Sequence, residues 1–147
     1  MSKSKKKSAE MFQVGGVFDG WVLEAKLGAG GNGDVWKAAR PGQASQAIKI
    51  LRSVAPETYE RFKVETGTLE KLGRMPGIIP LLEKFVPENK FKATHWFTMP
   101  IAVPFEQYIE GRSPFEIVED FIALAMAIET LHKADISHRD IKDISVN

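Results

Sequence analysis

Four short stretches of this sequence carry residue types that could handle a phosphate. The first is Gly28-Ala29-Gly30-Gly31-Asn32-Gly33-Asp34-Val35, a GxGxxGxV run. Glycine has no Cβ, so its backbone can approach phosphate oxygens closely and adopt dihedrals that other residues avoid. Alone the run is weak. A flexible hairpin uses glycine too, and a dinucleotide-binding turn has similar spacing. The second is Lys49, within Ala47-Ile48-Lys49-Ile50. In isolation it reads as an edge cation whose stem lies on apolar surface. One hairpin beyond the glycine run, it could instead meet phosphates held under that flap. The third is Glu65, which is either one more solvated helix charge or the partner that holds the Lys49 ammonium in place. The fourth is His138-Arg139-Asp140-Ile141-Lys142, in which the Asp140 carboxylate could accept a proton.

The elements that must position these groups follow from pattern. Residues 21–27, 34–39 and 46–51 read as strands joined by glycine- and proline-marked turns, so they form an antiparallel meander. The glycine run is therefore a hairpin, which argues against the strand-to-helix turn of a dinucleotide site. Pro56 suits a first helical turn, and Tyr59, Phe62, Leu69 and Leu72 recur at helical steps up to Gly73. Residues 78–86 and 94–99 read as two further strands, and Pro100 and Pro104 mark a connector. A short helix is expected over 106–110. A longer one opens at Pro114 and runs over 115–133, with an apolar stripe wide enough to call for burial on more than one side.

Composition sets the outer limits. The chain has 147 residues, 44% of them hydrophobic, enough to build a core. A net charge of +1 gives no global field directed at nucleic acid or a membrane. With no cysteine, disulfides, thiolate nucleophiles and zinc–thiolate sites are excluded. No apolar run reaches the roughly 18 residues of a membrane helix. Lys3, Lys5, Lys6 and Lys7 are not followed by a signal-peptide core, so they read as a solvated tail, or else as a basic docking patch. A cytoplasmic location is the default expectation.

Taken together and in this order, the four motifs resemble the protein kinase superfamily, and Lys142 two places after Asp140 resembles its serine/threonine branch. The resemblance covers residues 21–142. It implies an α+β fold: a kinase N-lobe with an antiparallel five-stranded sheet and one helix, then the first helices of an incomplete helical C-lobe. The divisions expected are a basic, disordered tail and lead-in over 1–20, N-lobe and hinge over 21–102, and partial C-lobe over 103–147. It also implies ATP and Mg2+ as cofactors. Gly28, Gly30 and Gly33 would cover the phosphates. Leu27, Val35 and Ala47 would enclose adenine, with Met99 at the back of its pocket. The Pro100 carbonyl and the Ala102 N–H would meet the adenine edge. Lys49, oriented by Glu65, would bind the α- and β-phosphates. His138 and Arg139 would be scaffold, Asp140 would orient the substrate hydroxyl and Lys142 would steady the γ-phosphate.

The sequence also departs from the family. Five places beyond Asp140, where the family has a magnesium-binding Asn, stands Ser145, and Asp143 replaces a proline. No Asp-Phe-Gly segment follows. The expectation is that agreement stops at Lys142, through a shifted reading frame or an artificial boundary, and that this chain alone transfers little phosphate. The apolar helix 115–133 would then lack its usual cover and pair with itself or with a partner. Two rival readings remain: a non-catalytic kinase-like module that regulates another kinase, and a small-molecule phosphotransferase. The intact Lys49, Glu65 and Asp140 weaken the first. Arg139 and the full glycine run weaken the second.

Overall fold

The computed structural model describes residues 11–31, 33–89, 91 and 93–137. The chain divides into two compact units. The first runs up to Met75 and resumes over Ile79–Ala102; the second takes Pro76–Ile78 and continues from Val103.

The first unit is built on an antiparallel sheet of six strands. They are β1 (Val17–Phe18), β2 (Trp21–Gly30), β3 (Gly33–Ala39), β4 (Gln46–Ile50), β5 (Glu83–Phe85) and β6 (Trp96–Met99), in the order β1-β2-β3-β4-β6-β5. This is one strand more than the five expected. The addition, β1, is too short to show a two-residue period, yet it pairs Phe18 with Trp21 and buries the Phe18 ring. The expected lead-in is therefore structured by residue 17, and Met11 and Phe12 also pack against the sheet. The strand expected over 78–86 shrinks to three residues. Gly77 takes a positive φ of 80°, and Pro80 has no N–H to give a ladder.

Alternation along each strand separates two apolar layers. Phe18, Trp21, Leu23, Trp36, Ala38, Ile48, Ile50 and Trp96 pack together, with Trp21 and Trp96 edge to face at 6.1 Å between centroids. On the opposite face Leu51, Tyr59, Phe62 and Phe97 form a second cluster. Tyr59 and Phe62 come from α1 (Pro56–Leu72). Pro56 stands in its first turn, where no N–H is needed. Gly73 ends it at a φ of 59°, with its N–H donated to the Leu69 carbonyl at 3.1 Å. The Phe62 and Phe97 rings lie 5.4 Å apart and both are fully buried. Burying each such side chain contributes about 1.5–3 kcal/mol, so this contact fixes which side of α1 meets the sheet.

The second unit holds α2 (Phe105–Ile109) and α3 (Pro114–Lys133). Ser113 caps α3: its Oγ accepts the Glu116 N–H at 3.3 Å, and the Glu116 carboxylate accepts the Ser113 N–H at 2.7 Å. Arg112 pairs with Asp120 at 2.8 Å, and the Phe105 and Phe121 rings meet at 5.5 Å, which ties α2 to the first turns of α3. On α3 only Ala127 and Leu131 are buried. Phe121, Ile122, Leu124 and Met126 are exposed, so the wide apolar stripe is not buried on several sides within the described residues.

Candidate active site

Register places the expected nucleotide-facing residues on one face of the first unit. Val35 is opposite Lys49, and Lys49 is opposite Phe97. One step along, Lys37, Ala47 and Met99 form the next row. Successive side chains on a strand point to opposite faces, so Val35, Ala47, Lys49, Phe97 and Met99 share the face that also meets α1. Gly28 lies opposite Val35, and Leu27 beside it is 47% exposed. Pro100 and Ala102 follow β6 without regular structure and are exposed.

At the centre of this face, Lys49 Nζ donates to both carboxylate oxygens of Glu65, at 2.6 and 2.7 Å. The two side chains are 15% and 33% exposed. The short distances reflect a charge-assisted contact. The Lys49 ammonium also stands 5.9 Å from the centre of the Phe97 ring. Two of its three N–H groups are used by Glu65, leaving one for an anion.

The glycines differ in what holds them. A Cβ added at Gly28 would meet nothing within 4 Å, and one at Gly30 only the Gly33 carbonyl at 3.8 Å. At Gly33 it would sit 2.4 Å from the Ile50 carbonyl oxygen. Of these three, packing demands glycine only at 33; at 28 and 30 the space beside the backbone is open. Among the described residues no group of three or more His, Cys, Asp or Glu side chains is placed to hold a metal. The expected catalytic-loop residues His138, Arg139, Asp140 and Lys142, and the departures at Asp143 and Ser145, lie outside the described residues.

Reading the sequence overlooked three residues around these groups. Phe97 lies opposite Lys49 in the sheet with its ring 5.9 Å from the ammonium, and its place in an apolar strand carried no sign of that. Arg52 and Asp34 form an ion pair at 2.6 Å behind the glycine hairpin. That pair depends on strand register, which spacing does not disclose. A cavity of about 320 Å³ lies on this rear face, lined in part by Asp34, Trp36, Ile50 and Arg52. It contains neither Lys49 nor Glu65, and the chemistry of that pair locates the site better than the cavity does.

No family model matches the chain. Curated relatives do. The serine/threonine-protein kinase PknF of Mycobacterium tuberculosis is 27% identical over 143 residues, which cover 90% of this chain and 29% of the relative. The mouse kinase Nek11 is 27% identical over 140 residues, covering 86% of this chain and 22% of the relative. Among solved structures, the kinase domain of M. tuberculosis PknI in a double-mutant form superposes with a TM-score of 0.62 at 25% identity, over 89% of this chain and 56% of that one. The chain has the relatives and the fold of a protein kinase. Its sheet and α1 match a kinase N-lobe, and α2 and α3 match the start of a C-lobe. The kinase-like chain spans less than a third of the curated relatives' length and a little over half of the solved domain.

Proposed function

We propose that this chain binds ATP on the face carrying Lys49, as the nucleotide-binding portion of a serine/threonine protein kinase. The observation that supports this most is the two-oxygen contact between Lys49 and Glu65 at 2.6 and 2.7 Å. A lysine so held presents its charge at a fixed point instead of sweeping through solvent. In this reading Gly28, Gly30 and Gly33 cover the phosphates, and Lys49 binds the α- and β-phosphates. Leu27, Val35 and Ala47 enclose adenine, Met99 stands behind it, and the Pro100 carbonyl and Ala102 N–H bind its edge. Asp140 would orient a protein hydroxyl and Lys142 would steady the γ-phosphate for transfer. Magnesium arriving with the nucleotide would neutralise phosphate charge. With Ser145 in place of the usual Asn, phosphoryl transfer by the chain itself is weak.

Ser145 also favours a second reading, a kinase-like module that binds nucleotide or a partner without catalysis. Binding of an ATP analogue, with and without magnesium, to the native chain and to Lys49→Ala tests the nucleotide site. Equal binding by the two would sink it. Transfer of labelled phosphate to a generic protein substrate separates the two readings: robust incorporation overturns weak catalysis.

A further inference from the structure

The glycine hairpin is fastened from behind. Arg52 lies two residues beyond the end of β4 and three beyond Lys49. Its Nη2 donates to the Gly30 carbonyl at 3.1 Å and to the Asp34 carboxylate at 2.6 Å. Gly30 and Gly33 are the last paired residues at the hairpin tip, and Asp34 follows Gly33 directly. One guanidinium therefore spans both strands of the hairpin at its tip. Lys26, on β2, adds a second cation to Asp34 at 3.5 Å. The absence of a Cβ at Gly33 lets β3 lie against the Ile50 carbonyl, which keeps the hairpin within reach of the segment leaving β4.

We infer that Arg52 is a positioning residue for the nucleotide, because it bridges the Gly30 carbonyl and the Asp34 carboxylate and so joins the glycine hairpin to the strand that bears Lys49. The inference rests on the ATP-binding reading of this face. A glycine-rich tip has many backbone states, and ordering it over a ligand costs conformational entropy. A latch that restricts the tip beforehand lowers that cost and raises affinity without touching the ligand. Arg52 is the suited type, since its planar fork serves two acceptors from one fixed group, whereas a lysine offers a point charge. Its side chain is 54% exposed, and such contacts contribute little to global stability. Loss of the latch is therefore felt at the hairpin and not in the fold.

The test uses the whole chain and the variants Arg52→Ala, Arg52→Lys and Asp34→Asn, with Lys49→Ala as the control for the nucleotide site. Amide hydrogen exchange is followed over residues 28–35 and over α1 without nucleotide, and binding of a fluorescent ATP analogue is measured. Arg52→Ala is expected to speed exchange over 28–35, leave α1 unchanged, and weaken binding about three- to tenfold, the scale of one charge-assisted contact. Arg52→Lys should recover part of both effects, and Asp34→Asn should reproduce part. Weaker binding with unchanged exchange overturns the latch, because Arg52 would then be acting on the ligand directly. Faster exchange with unchanged affinity overturns positioning, as does faster exchange throughout α1. A native chain that binds no analogue, or binds it as well after Lys49→Ala, removes the nucleotide reading and the positioning role with it. Native binding that depends on Lys49 but not on Arg52 removes the positioning role alone.

Discussion

Glu65 holds the Lys49 ammonium through both of its carboxylate oxygens, at 2.6 and 2.7 Å, across the join between α1 and the sheet. The contact ties helix position to cation position: α1 cannot shift along its axis without stretching one of the two bonds. Phe62 against Phe97 sets the same join from the apolar side. The Lys49 cation is thus held by charge, and the helix that holds it by packing.

Glu65→Gln keeps the shape of the side chain and removes its charge. The Lys49 ammonium then loses its counter-charge while remaining mostly buried. We expect ATP-analogue binding about tenfold weaker, corresponding to roughly 1.4 kcal/mol, with a smaller effect on thermal stability because Glu65 is a third exposed. Titration calorimetry beside thermal melts checks this. A large drop in melting temperature with unchanged affinity would show that the pair serves the fold and not the ligand.

The glycines of the hairpin should separate in the opposite sense. Gly33→Ala puts a Cβ 2.4 Å from a backbone carbonyl oxygen that cannot swing away, and the strands must part. A loss of about 1–3 kcal/mol is expected, the usual cost of forcing extra atoms into a packed place. Gly28→Ala adds its methyl to open space, so stability should change by less than about 0.5 kcal/mol while analogue binding weakens. Urea denaturation of both variants measures the contrast. Equal losses from the two would refute the division between a packing glycine and a ligand-facing one.

The Lys49–Glu65 pairing was legible before any coordinates. The helix beyond the glycine hairpin and its strand lysine carries four glutamates, Glu57, Glu60, Glu65 and Glu70, and it was the resemblance to the kinase family that singled out Glu65. The expected elements were correct in type, and the helix over 56–72 began and ended near its proline and glycine signals. What stayed hidden depends on tertiary register. Arg52 reaches Gly30 and Asp34 only because β3 and β4 pair with Asp34 opposite Ile50. The two-residue β1 is ordered by burial of Phe18, not by local pattern. Ser113 with Glu116 is different: a serine three residues before a glutamate at a helix start is a readable cap, and reading the boundary at Pro114 alone missed it.

The exposed apolar side of α3 predicts association. Phe121, Ile122, Leu124 and Met126 are each close to half exposed or more, and large apolar side chains left exposed together on one helix favour burial against another surface. We propose that the chain pairs with itself through this side. Sizing chromatography across a wide concentration range should show a species larger than one chain, and Phe121→Glu with Ile122→Glu should shift it toward the monomer without altering analogue binding. A native chain that elutes as a sharp monomer at high concentration overturns the proposal.

The cap of α3 has a pH signature. The Glu116 carboxyl lies below the ordinary glutamate value, chiefly because it accepts the Ser113 backbone N–H, then through its side-chain contact with Ser113, and last through Arg112. Because the folded value is the lower one, unfolding takes up protons as the pH falls into the glutamate range. The cap therefore contributes fully at neutral pH, and the contribution is lost as the pH drops through the folded-state value. Glu116→Gln should flatten that part of the stability profile without abolishing it, since other carboxylates also titrate there. Ser113→Ala should remove the half of the cap in which Oγ accepts the Glu116 N–H, keep the backbone N–H that Glu116 accepts, and destabilise α3 by about 1 kcal/mol at neutral pH. Helix content followed by circular dichroism between neutral and acidic pH, for the native chain and the two variants, measures this. An acid-limb slope in Glu116→Gln identical to that of the native chain would mean that the carboxylate is not coupled to helix formation.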